Sequence, residues 1–452
     1  MSLMMSVSGI RGIVGETFTP ELIEKVSSRL AKYLKGGTVV IGRDSRHTGE
    51  AVMRLAESTL VLSGCDVVDI GIVPTPTVQI MVEKLKAKAG IVISASHNPI
   101  EWNAFKLINE KGEFFSPKQI REFFGLLDKD MKYPVHSKIG KLYYDDTAFV
   151  SHLDMVLSKV DTARIKKRKF KVALDSVNGA GSYITQELLK RLGCTVIPVF
   201  CSIDGNFPRV AEPLAENLKV LCSSVKKNKA DIGFAQDPDA DRLAIVDETG
   251  RAIGEEMTLV ITADYILSRK KGNVVVNMST SRGVQDIASR HGSKFFRSKV
   301  GEINVVEEMK KQKAVFGGEG NGGVISPEAH YGRDSLVGIA YVLDYLARKE
   351  EKLSSVLTSL PSYVMKKSKV KFDPSKVSDL VSAVKKEFAA ETISTLDGIR
   401  VDFKYHTEFR GGWVHLRGSN TEPVFRIISE GTDKYQAEKI QKYFEKLISS
   451  IA

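Results

Sequence analysis

The chain has 452 residues, more than one hydrophobic core normally supports, and we therefore expect about three or four domains. Apolar residues make up 42% and charged residues 27% of the sequence, an ordinary balance that argues against a disordered, collagen-like or membrane-embedded chain. The formal net charge of +11 suits an anionic partner: nucleic acid, an acidic membrane or a phosphorylated metabolite.

The basic residues and the cysteines narrow these possibilities. Basic clusters such as Lys166–Lys169 are short and do not alternate with aromatic residues, so we interpret them as solvated surface, not as a nucleic-acid tract. The four cysteines lack C-x-x-C spacing, which favours thiols in a reducing compartment. No signal peptide is evident after Met1, and no apolar run approaches the ~20 residues of a membrane-spanning helix. We expect a cytoplasmic monomer or homodimer without a nucleic-acid or membrane partner.

Short apolar runs alternate with amphipathic stretches through most of the chain. The runs are rich in β-branched residues and are bounded by polar residues or glycine: 39–41, 91–93, 172–174, 231–234 and 274–276. They fit strands that are buried on both faces, and stretches such as Ala211–Lys227 have leucines and valines near helical spacing. This alternation predicts α/β layers with largely parallel sheets. The runs that begin at Val39, Val172 and Val274 each lead into a polar loop, which indicates three similar α/β domains.

The last part of the chain has a different pattern. A lysine-rich stretch and a helical pattern over Pro374–Phe388 come first. Three strand-like segments follow at Gly398–Lys404, Trp413–Leu416 and Val424–Ser429, and an amphipathic helix over Thr432–Ile451 closes the chain. This order predicts a small α+β domain with an antiparallel sheet. We place the domains at 1–150, 151–252, 253–365 and 366–452.

The first segment with chemical potential is Ser94–Pro99. The apolar strand before it delivers Ser96 and His97 to the strand's carboxyl end, where open α/β sheets bind ligands. A serine in this place also makes a good helix cap, so the segment alone leaves both interpretations open. Lys106 lies a short way on and offers a positive charge and a proton donor or acceptor, which favours a nucleophilic Ser96.

Three aspartates, Asp237, Asp239 and Asp241, alternate along the second segment. Side chains at alternate positions of an extended chain project to one side, and three carboxylates together form an oxygen site for Mg²⁺ or Ca²⁺. The spacing also resembles an EF-hand loop with Glu248 at its last ligand position. Arg242 stands where that loop needs glycine, however, and a strand-like run follows. The pattern favours magnesium in an enzyme site, with a metal-free acidic turn as the alternative.

Two further segments carry groups suited to a sugar and to a phosphate. Glu319 and Asn321 lie among the glycines of 317–323, where the backbone can approach a ligand closely, although a surface turn has the same composition. Near the C terminus, Arg417 and Arg426 flank hydroxyl and amide side chains that fit a phosphate cradle or, alternatively, an exposed hairpin loop. The members of that loop are Ser419, Asn420 and Thr421. Arg11 between two glycines and Lys299 before Val300-Gly301 are weaker candidates for anion binding.

Together these segments resemble the α-D-phosphohexomutase family, which includes phosphoglucomutase, phosphomannomutase and phosphoglucosamine mutase. The resemblance covers the whole chain with the motifs in the expected order. Four segments are similar to the phosphoserine, metal, sugar-binding and phosphate-binding loops of the family: Ser94–Pro99, Asp237–Arg242, Gly318–Gly322 and Arg417–Thr421. The fold that this resemblance implies has four domains around a central cleft, of which the first three are α/β and the last is smaller.

The resemblance also implies a reaction and a role for each residue. Hexose 1-phosphate and hexose 6-phosphate would interconvert through phospho-Ser96 and a hexose 1,6-bisphosphate. Ser96 and the three aspartates would hold Mg²⁺, and Lys106 would be the general acid and base. The residues that would assist at the phosphoserine are Arg11, His97 and Arg242. Those that would bind the sugar phosphate are Glu319, Asn321, Lys299, Arg417, Ser419, Asn420, Thr421 and Arg426.

The preferred sugar stays open at this point. Asn321 stands where many members of the family have serine, and Gly322-Gly323 stands where the phosphoglucosamine and dual-specificity types usually have Gly-His. Glu302 stands where dual-specificity enzymes commonly have histidine, a pattern more similar to phosphoglucosamine mutase. We expect glucose and mannose phosphates, with phosphoglucosamine mutase as the alternative enzyme. From a different class, a non-catalytic sugar-phosphate-binding protein is the alternative, and a serine-nucleophile phosphatase is less favoured.

Overall fold

The computed structural model describes residues 3–7, 9–418 and 424–451, except for the side chain of Pro374. Four sheets follow one another along this part of the chain, the first three with strands in both directions and the last wholly antiparallel. The prediction of three α/β units and a smaller α+β unit is confirmed. The exact domain limits given above stay predictions.

The first unit contains a seven-stranded mixed sheet within the described residues. Its strands are β1 (Met4–Ser6), β2 (Gly9–Ile13), β3 (Gly37–Arg43), β4 (Cys65–Ile72), β5 (Ala89–Ile93), β6 (Trp102–Asn109) and β7 (Leu142–Tyr144). Its helices are α1 (Pro20–Leu34), α2 (Gly49–Leu62), α3 (Thr75–Lys84) and α4 (Pro117–Phe124). The strand order is β1-β2-β6-β5-β3-β4-β7. Helix α1 begins at Pro20 because the Thr19 hydroxyl caps it by accepting a hydrogen bond from the Leu22 N–H.

Helices cover both faces of this first sheet. Val39 and Ile41 of β3 belong to a core that includes residues of α1 and α2, whereas Val40 packs on the opposite face with Val78 and Val82 of α3. Strands buried on both faces need continuous apolar sequences, which explains the runs that the sequence shows.

The second unit contains four strands in the order β11-β10-β8-β9. The elements in chain order are α5 (Ala148–Leu157), α6 (Thr162–Arg168), β8 (Lys171–Asp175), α7 (Gly181–Arg191), β9 (Thr195–Val199), α8 (Lys219–Asn228), β10 (Ile232–Gln236) and β11 (Leu243–Asp247). The amphipathic stretch 211–227 is helical only in its second half. Leu214 is extended and Ala215–Asn217 forms a single 3₁₀ turn, so α8 begins at Lys219.

The third unit contains five strands in the order β13-β12-β14-β15-β16. Its elements are α9 (Glu255–Arg269), β12 (Asn273–Asn277), α10 (Gly283–Arg290), β13 (Phe295–Ser298), α11 (Glu302–Gln312), β14 (Ala314–Glu319), β15 (Gly323–Ser326), β16 (His330–Arg333), α12 (Ser335–Lys349) and α13 (Leu353–Thr358). Helices α9 and α12 share one continuous hydrophobic core with the second unit.

The fourth unit is an antiparallel sheet in the order β17-β21-β20-β19-β18. Its elements are β17 (Val364–Lys371), α14 (Val377–Glu387), β18 (Thr392–Ser394), β19 (Ile399–Asp402), β20 (Trp413–Gly418), β21 (Val424–Gly431) and α15 (Lys434–Ile451). The lysine-rich stretch forms β17 at the sheet edge, where charged side chains discourage pairing with other chains. None of the helices in the described ranges combines the length and the apolar character that crossing a bilayer requires.

Helix α3 joins the first three units to one another. The Thr77 hydroxyl lies 2.9 Å from Nδ1 of His152, whose Nε2 lies 2.8 Å from a carboxylate oxygen of Asp334. Two residues further on, Gln79 donates a 3.1 Å hydrogen bond to Glu302. These buried polar contacts fix the relative positions of three sheets, and the candidate site lies where the sheets meet.

Candidate functional site

Ser96 lies in the loop after β5, with its backbone in the left-handed region at φ +49°. Such a conformation is strained for a residue other than glycine and needs support from its surroundings. The Ser94 hydroxyl accepts a 3.0 Å hydrogen bond from the Ser96 N–H, and Arg46 donates a 2.7 Å bond to the Ser96 carbonyl. Arg46 is fully buried and also forms a salt bridge with Asp44. The loop is therefore held in one conformation.

Sequence analysis missed Asp44 and Arg46 as supports of this loop. Arg46 donates hydrogen bonds to the carbonyls of Ser96, Asn98 and Pro99, and Asp44 accepts one from the Ser94 hydroxyl at 2.7 Å. The sequence signal that could have identified them is the polar loop directly after β3. Strand β3 is the parallel neighbour of β5 in the sheet. Because parallel neighbours end at the same sheet edge, polar residues after both strands meet there.

The Ser96 hydroxyl contacts the aspartate segment directly. Its Oγ donates a 2.8 Å hydrogen bond to Oδ2 of Asp237, although the two residues lie in loops that follow strands of different sheets. His97 Nδ1 lies 3.5 Å from the same Oγ. Ser96 is only 2% exposed. A buried hydroxyl that faces a carboxylate cluster fits a phosphoryl acceptor better than a helix cap.

The three aspartates converge as predicted. Asp237, Asp239 and Asp241 are fully buried, and one carboxylate oxygen from each lies within 4.8 Å of one from each of the others. Burial, followed by the negative charges of Asp241 and Asp239, raises the pKa of Asp237 well above its usual range. A divalent cation would relieve this repulsion.

The orientation of the carboxylates fits a metal ion. Oδ2 of Asp239 accepts hydrogen bonds from Lys106 and from the Thr75 hydroxyl, and Oδ2 of Asp241 accepts a 2.5 Å bond from Arg333. Oδ1 of Asp239 and Oδ1 of Asp241 are buried and accept no hydrogen bond from any described residue. Asp239 and Asp241 thus each use one carboxylate oxygen for protein partners and present the other to the centre of the cluster, whereas both oxygens of Asp237 accept hydrogen bonds. Such a set of hard oxygen atoms suits Mg²⁺.

Lys106 projects from β6 into the same cluster. Its ammonium forms a hydrogen-bonded salt bridge with Asp239 and lies 3.7 Å from Asp241. Although burial alone would raise the pKa of Asp239, the charge and hydrogen bond of Lys106 hold it well below its usual range. The two segments that sequence analysis treated separately therefore form one ion-pair network.

The three residues predicted to assist at the phosphoserine, Arg11, His97 and Arg242, lie around Ser96. Arg11 donates a 3.2 Å hydrogen bond to Asn98 in the serine loop, and Arg242 donates a 2.7 Å bond to Glu212. The charge of Arg242 and then burial lower the pKa of His97 well below its ordinary value, so this imidazole is neutral near pH 7. Burial lowers the pKa of Arg11 to about 10, which still leaves the guanidinium charged.

Two of the sugar-binding candidates lie where β14 leads into β15: Glu319 is the last residue of β14, and Asn321 lies in the turn that follows. Glu319 is buried, and its Oε1 accepts hydrogen bonds from Asn277 Nδ2 at 2.9 Å and from the Gly301 N–H at 2.8 Å. Asn321 accepts a 3.2 Å bond from the Gly323 N–H, an interaction that shapes the loop. Lys299 is exposed directly after β13. The structure places Glu319 near the aspartates, because Arg333 binds both Glu319 and Asp241, and it leaves Lys299 at the surface.

Arg333, at the end of β16, is the main residue that sequence analysis missed. Its guanidinium contacts Glu302 at 2.9 Å, Glu319 at 2.9 Å and Asp241 at 2.5 Å. These carboxylates, followed in influence by the charge of Asp237, more than offset burial and raise the pKa of Arg333 well above its ordinary value. No local pattern around His330–Arg333 marks this role, because the partners are distant in sequence.

The phosphate-binding candidates are only partly described. Arg417 of β20 lies opposite Arg426 of β21 in the antiparallel ladder. Nε of Arg417 donates a 3.1 Å hydrogen bond to Asp397, whose other oxygen accepts a 2.9 Å bond from the Val300 N–H of the third unit. Arg426 is exposed. The predicted loop residues between these strands, Ser419, Asn420 and Thr421, lie outside the described residues.

Comparison with known proteins supports this interpretation along the whole chain. Four phosphoglucomutase/phosphomannomutase models match in order: α/β/α domain I over residues 3–133, domain II over 150–250, domain III over 254–363 and the C-terminal domain over 365–447. A probable phosphoglucosamine mutase of Methanopyrus kandleri is 36% identical over 452 residues, which cover 99% of this chain and 98% of that protein.

Two other similar proteins are named as phosphoglucomutase/phosphomannomutase or as members of that family. A phosphoglucomutase/phosphomannomutase of Thermococcus kodakarensis is 37% identical over 461 residues, covering 98% of this chain and 97% of that protein. A crystal structure of a phosphoglucomutase/phosphomannomutase family protein from Burkholderia thailandensis superposes with a TM-score of 0.85 at 26% identity, covering 99% and 98% of the two chains. The chain therefore belongs to the α-D-phosphohexomutase family of isomerases, as its motifs predicted.

Proposed function

We propose that the protein interconverts hexose 1-phosphate and hexose 6-phosphate through a phosphoryl group carried on Ser96. The observation that supports this most is the contact of the Ser96 hydroxyl with Asp237, at 2.8 Å, within a buried cluster that also holds Lys106. A nucleophile, a proton carrier and a carboxylate triad in one place match the needs of phosphoryl transfer, which depends mainly on positioning and charge neutralisation.

The donor set fits Mg²⁺ held by Asp237, Asp239, Asp241 and an oxygen of phospho-Ser96. When bound, Mg²⁺ supplies positive charge that neutralises the transferring phosphoryl group. The chain's own cations add to this: Arg11 and Arg242 lie on the Ser96 side, and neutral His97 offers a hydrogen-bonding nitrogen near Oγ. Removal of the charge of Arg11 or Arg242 is expected to lower activity without abolishing the fold.

Lys106 is the candidate for proton transfer. In the first half-reaction a substrate hydroxyl attacks phospho-Ser96 and the bond between phosphorus and Ser96 Oγ breaks; the Lys106 ammonium protonates the leaving Oγ and takes up the proton of the attacking hydroxyl. The product is a hexose 1,6-bisphosphate. In the second half-reaction its other phosphoryl group moves to Ser96 Oγ, and the proton that Oγ gives up is relayed through Lys106 to the freed oxygen of the sugar. The bisphosphate thus serves as intermediate and as activator of an unphosphorylated Ser96.

The fourth unit would hold the phosphate that is not reacting. Arg417 and Arg426 on adjacent strands, with Ser419, Asn420 and Thr421 between them, form the proposed phosphate grip. Guanidinium groups bind phosphate bidentately, and the hydroxyl and amide groups of the loop add hydrogen bonds. A grip separate from Ser96 allows either end of the sugar to face the serine.

Glucose and mannose phosphates are the substrates expected from sequence, and one observation favours glucosamine phosphate as a second candidate. Glu302 and Glu319 are both buried and share Arg333 with Asp241. One guanidinium cannot neutralise three carboxylates, and the remaining negative charge suits the ammonium group of an amino sugar. Burial raises the pKa of Glu302 to about 7, so its charge is already partly lost near pH 7 and decreases further as the pH falls.

The test is a mutase assay with the purified full chain, Mg²⁺ and a catalytic amount of hexose 1,6-bisphosphate. The 1-phosphates of glucose, mannose and glucosamine are compared side by side. Formation of a 6-phosphate supports the reaction, and the ranking of kcat/KM identifies the sugar. Release of inorganic phosphate without isomerisation would indicate a phosphatase. Binding of sugar phosphates without conversion by phosphorylated protein would indicate a binding protein instead.

A further inference from the structure

Arg333 connects three loops that approach the site from different parts of the chain. Nη2 donates to Asp241 of the metal loop at 2.5 Å, Nη1 donates to Glu319 of the sugar-binding loop at 2.9 Å, and Nε donates to Glu302 at the start of α11 at 2.9 Å. The residue is 8% exposed. Each of the three guanidinium nitrogens therefore donates a hydrogen bond to a different carboxylate.

The sequence leaves space for this side chain at Gly323. A Cβ atom built on Gly323 would lie only 2.3 Å from Cδ and 2.9 Å from Cγ of Arg333. Glycine at this position thus allows Arg333 to reach Glu319 and Asp241. The Arg333 side chain therefore packs over Gly323 of the neighbouring strand as a buried part of the sheet.

The contacts determine which carboxylate oxygens stay available. Arg333 uses Oδ2 of Asp241, and Oδ1 of the same residue accepts no hydrogen bond from the described part of the chain. Arg333 also uses Oε2 of Glu319, while Oε1 accepts from Asn277 and Gly301. The guanidinium consequently orients Asp241 of the candidate metal site and Glu319, the carboxylate proposed to bind the sugar, at the same time.

We infer that Arg333 is a positioning residue that couples the metal site to sugar recognition, so that cation binding at Asp241 and sugar binding at Glu319 strengthen each other. A cation that attracts the Asp241 carboxylate weakens its hold on Arg333, which then binds and orients Glu319 more firmly. By linkage, a sugar hydroxyl that fixes Glu319 has the reciprocal effect on the cation. Because lysine is a point charge without a planar fork, it cannot replace arginine in this role.

This inference rests on the proposed function and is tested by binding, so the two can fail separately. The parent is Ser96→Ala, which is expected not to turn over. The affinity for Mn²⁺, used as a probe of the Mg²⁺ site, is measured by electron paramagnetic resonance with no ligand, with inorganic phosphate, and with glucose 1-phosphate or glucosamine 1-phosphate. The tightening by sugar phosphate divided by the tightening by inorganic phosphate isolates the contribution of the sugar.

We expect this sugar-dependent factor to be about fivefold or more in the parent, the lower range of measured couplings. Arg333→Lys and Arg333→Met, each added to the parent, should reduce it to about twofold or less. Gly323→Ala should do the same with Arg333 still present, because the added methyl group displaces its side chain. The matched control is Arg348→Met, which removes a half-exposed arginine that pairs with Asp344 on α12. It should keep the parent's factor.

Several outcomes would overturn the inference. One is a parent without sugar-dependent coupling, including a parent that binds neither sugar phosphate. Another is an undiminished factor in Arg333→Met or in Gly323→Ala, and a third is full retention in Arg333→Lys, which would show that charge alone suffices. Circular dichroism verifies that each variant is folded, and Gly323→Ala decides the matter if both Arg333 variants unfold. Mutase activity of the wild-type chain, measured separately, reports on the proposed function.

Discussion

Asp397 holds Arg417 in place: the carboxylate of Asp397 accepts a 3.1 Å hydrogen bond from Nε of Arg417 while its second oxygen accepts a 2.9 Å bond from the Val300 N–H. The contact therefore spans the third and fourth units. It aligns the candidate phosphate-binding arginine with the loop that precedes α11, on the Glu319 side of the site.

Replacement of this carboxylate should weaken phosphate binding more than chemistry. In Asp397→Ala, Arg417 loses its support, and we expect KM for the sugar phosphate to rise about fivefold with kcat reduced less than twofold, equivalent to about 1 kcal/mol of binding. Steady-state kinetics measure the split. Asp379→Ala, on exposed α14 surface, is the control. A fall in kcat with constant KM would contradict a positioning role for Asp397.

Removal of the proposed phosphoryl carrier should stop turnover and leave the fold intact. Ser96→Ala deletes one hydroxyl oxygen, so we expect mutase activity to fall by on the order of 10³-fold or more with an unchanged circular dichroism spectrum. Mass spectrometry of the wild-type chain should locate a phosphoryl group on the peptide that contains Ser96. Ser58→Ala, an exposed serine of α2 in the same unit, is the control. Wild-type turnover in Ser96→Ala would exclude this serine as the carrier.

Neutralising one of the aspartates should change the response to magnesium. Asp239→Asn keeps the size of the side chain but removes a charge and one metal-binding oxygen. We expect the Mg²⁺ concentration at half-maximal activity to rise at least about tenfold, together with a lower kcat. A titration of activity against Mg²⁺ measures both, with Asp231→Asn just before β10 as the exposed control. An unaltered titration would remove Asp239 from the metal site.

Acid should weaken the contact between the third and fourth units through His415. This buried imidazole lies between the Ser279 hydroxyl and the Asp397 carbonyl, and burial lowers its pKa from 6.5 to about 4. Between these values the unfolded chain binds the proton and the folded chain does not. The free energy of unfolding therefore has its full contribution from neutral His415 above about pH 6.5. It falls as the pH decreases towards 4, and the total loss is at most about 3 kcal/mol.

Melting temperatures at pH 7 and pH 4.5 measure this effect. His415→Asn should lower the melting temperature at pH 7 and show a smaller further loss on acidification than the wild type. The control is His136→Asn, since His136 is exposed and should leave the pH dependence unchanged. An equal acid sensitivity in His415→Asn and in the wild type would assign the loss of stability to other groups.

Local sequence determined much of this protein. Apolar runs such as 39–41 became strands buried on both faces because such strands need continuous apolar sequence. The alternate spacing of Asp237, Asp239 and Asp241 correctly predicted converging carboxylates, although they converge around a turn and not along an extended segment. The Ala240 N–H closes this turn by donating a 3.0 Å hydrogen bond to the Asp237 carbonyl. The order of the four motifs was sufficient to identify the family.

Tertiary structure alone decided which groups support those motifs. Arg333 reaches Asp241 across 92 residues, and Asp397 reaches Val300 across 97, separations at which no periodicity links one residue to the other. Arg46 is recognisable only because the parallel pairing of β3 and β5 brings two loops to one edge. Short-range propensities determine each segment's own conformation, whereas the partners of a buried charge depend on how the sheets pack. That packing placed one guanidinium among three carboxylates.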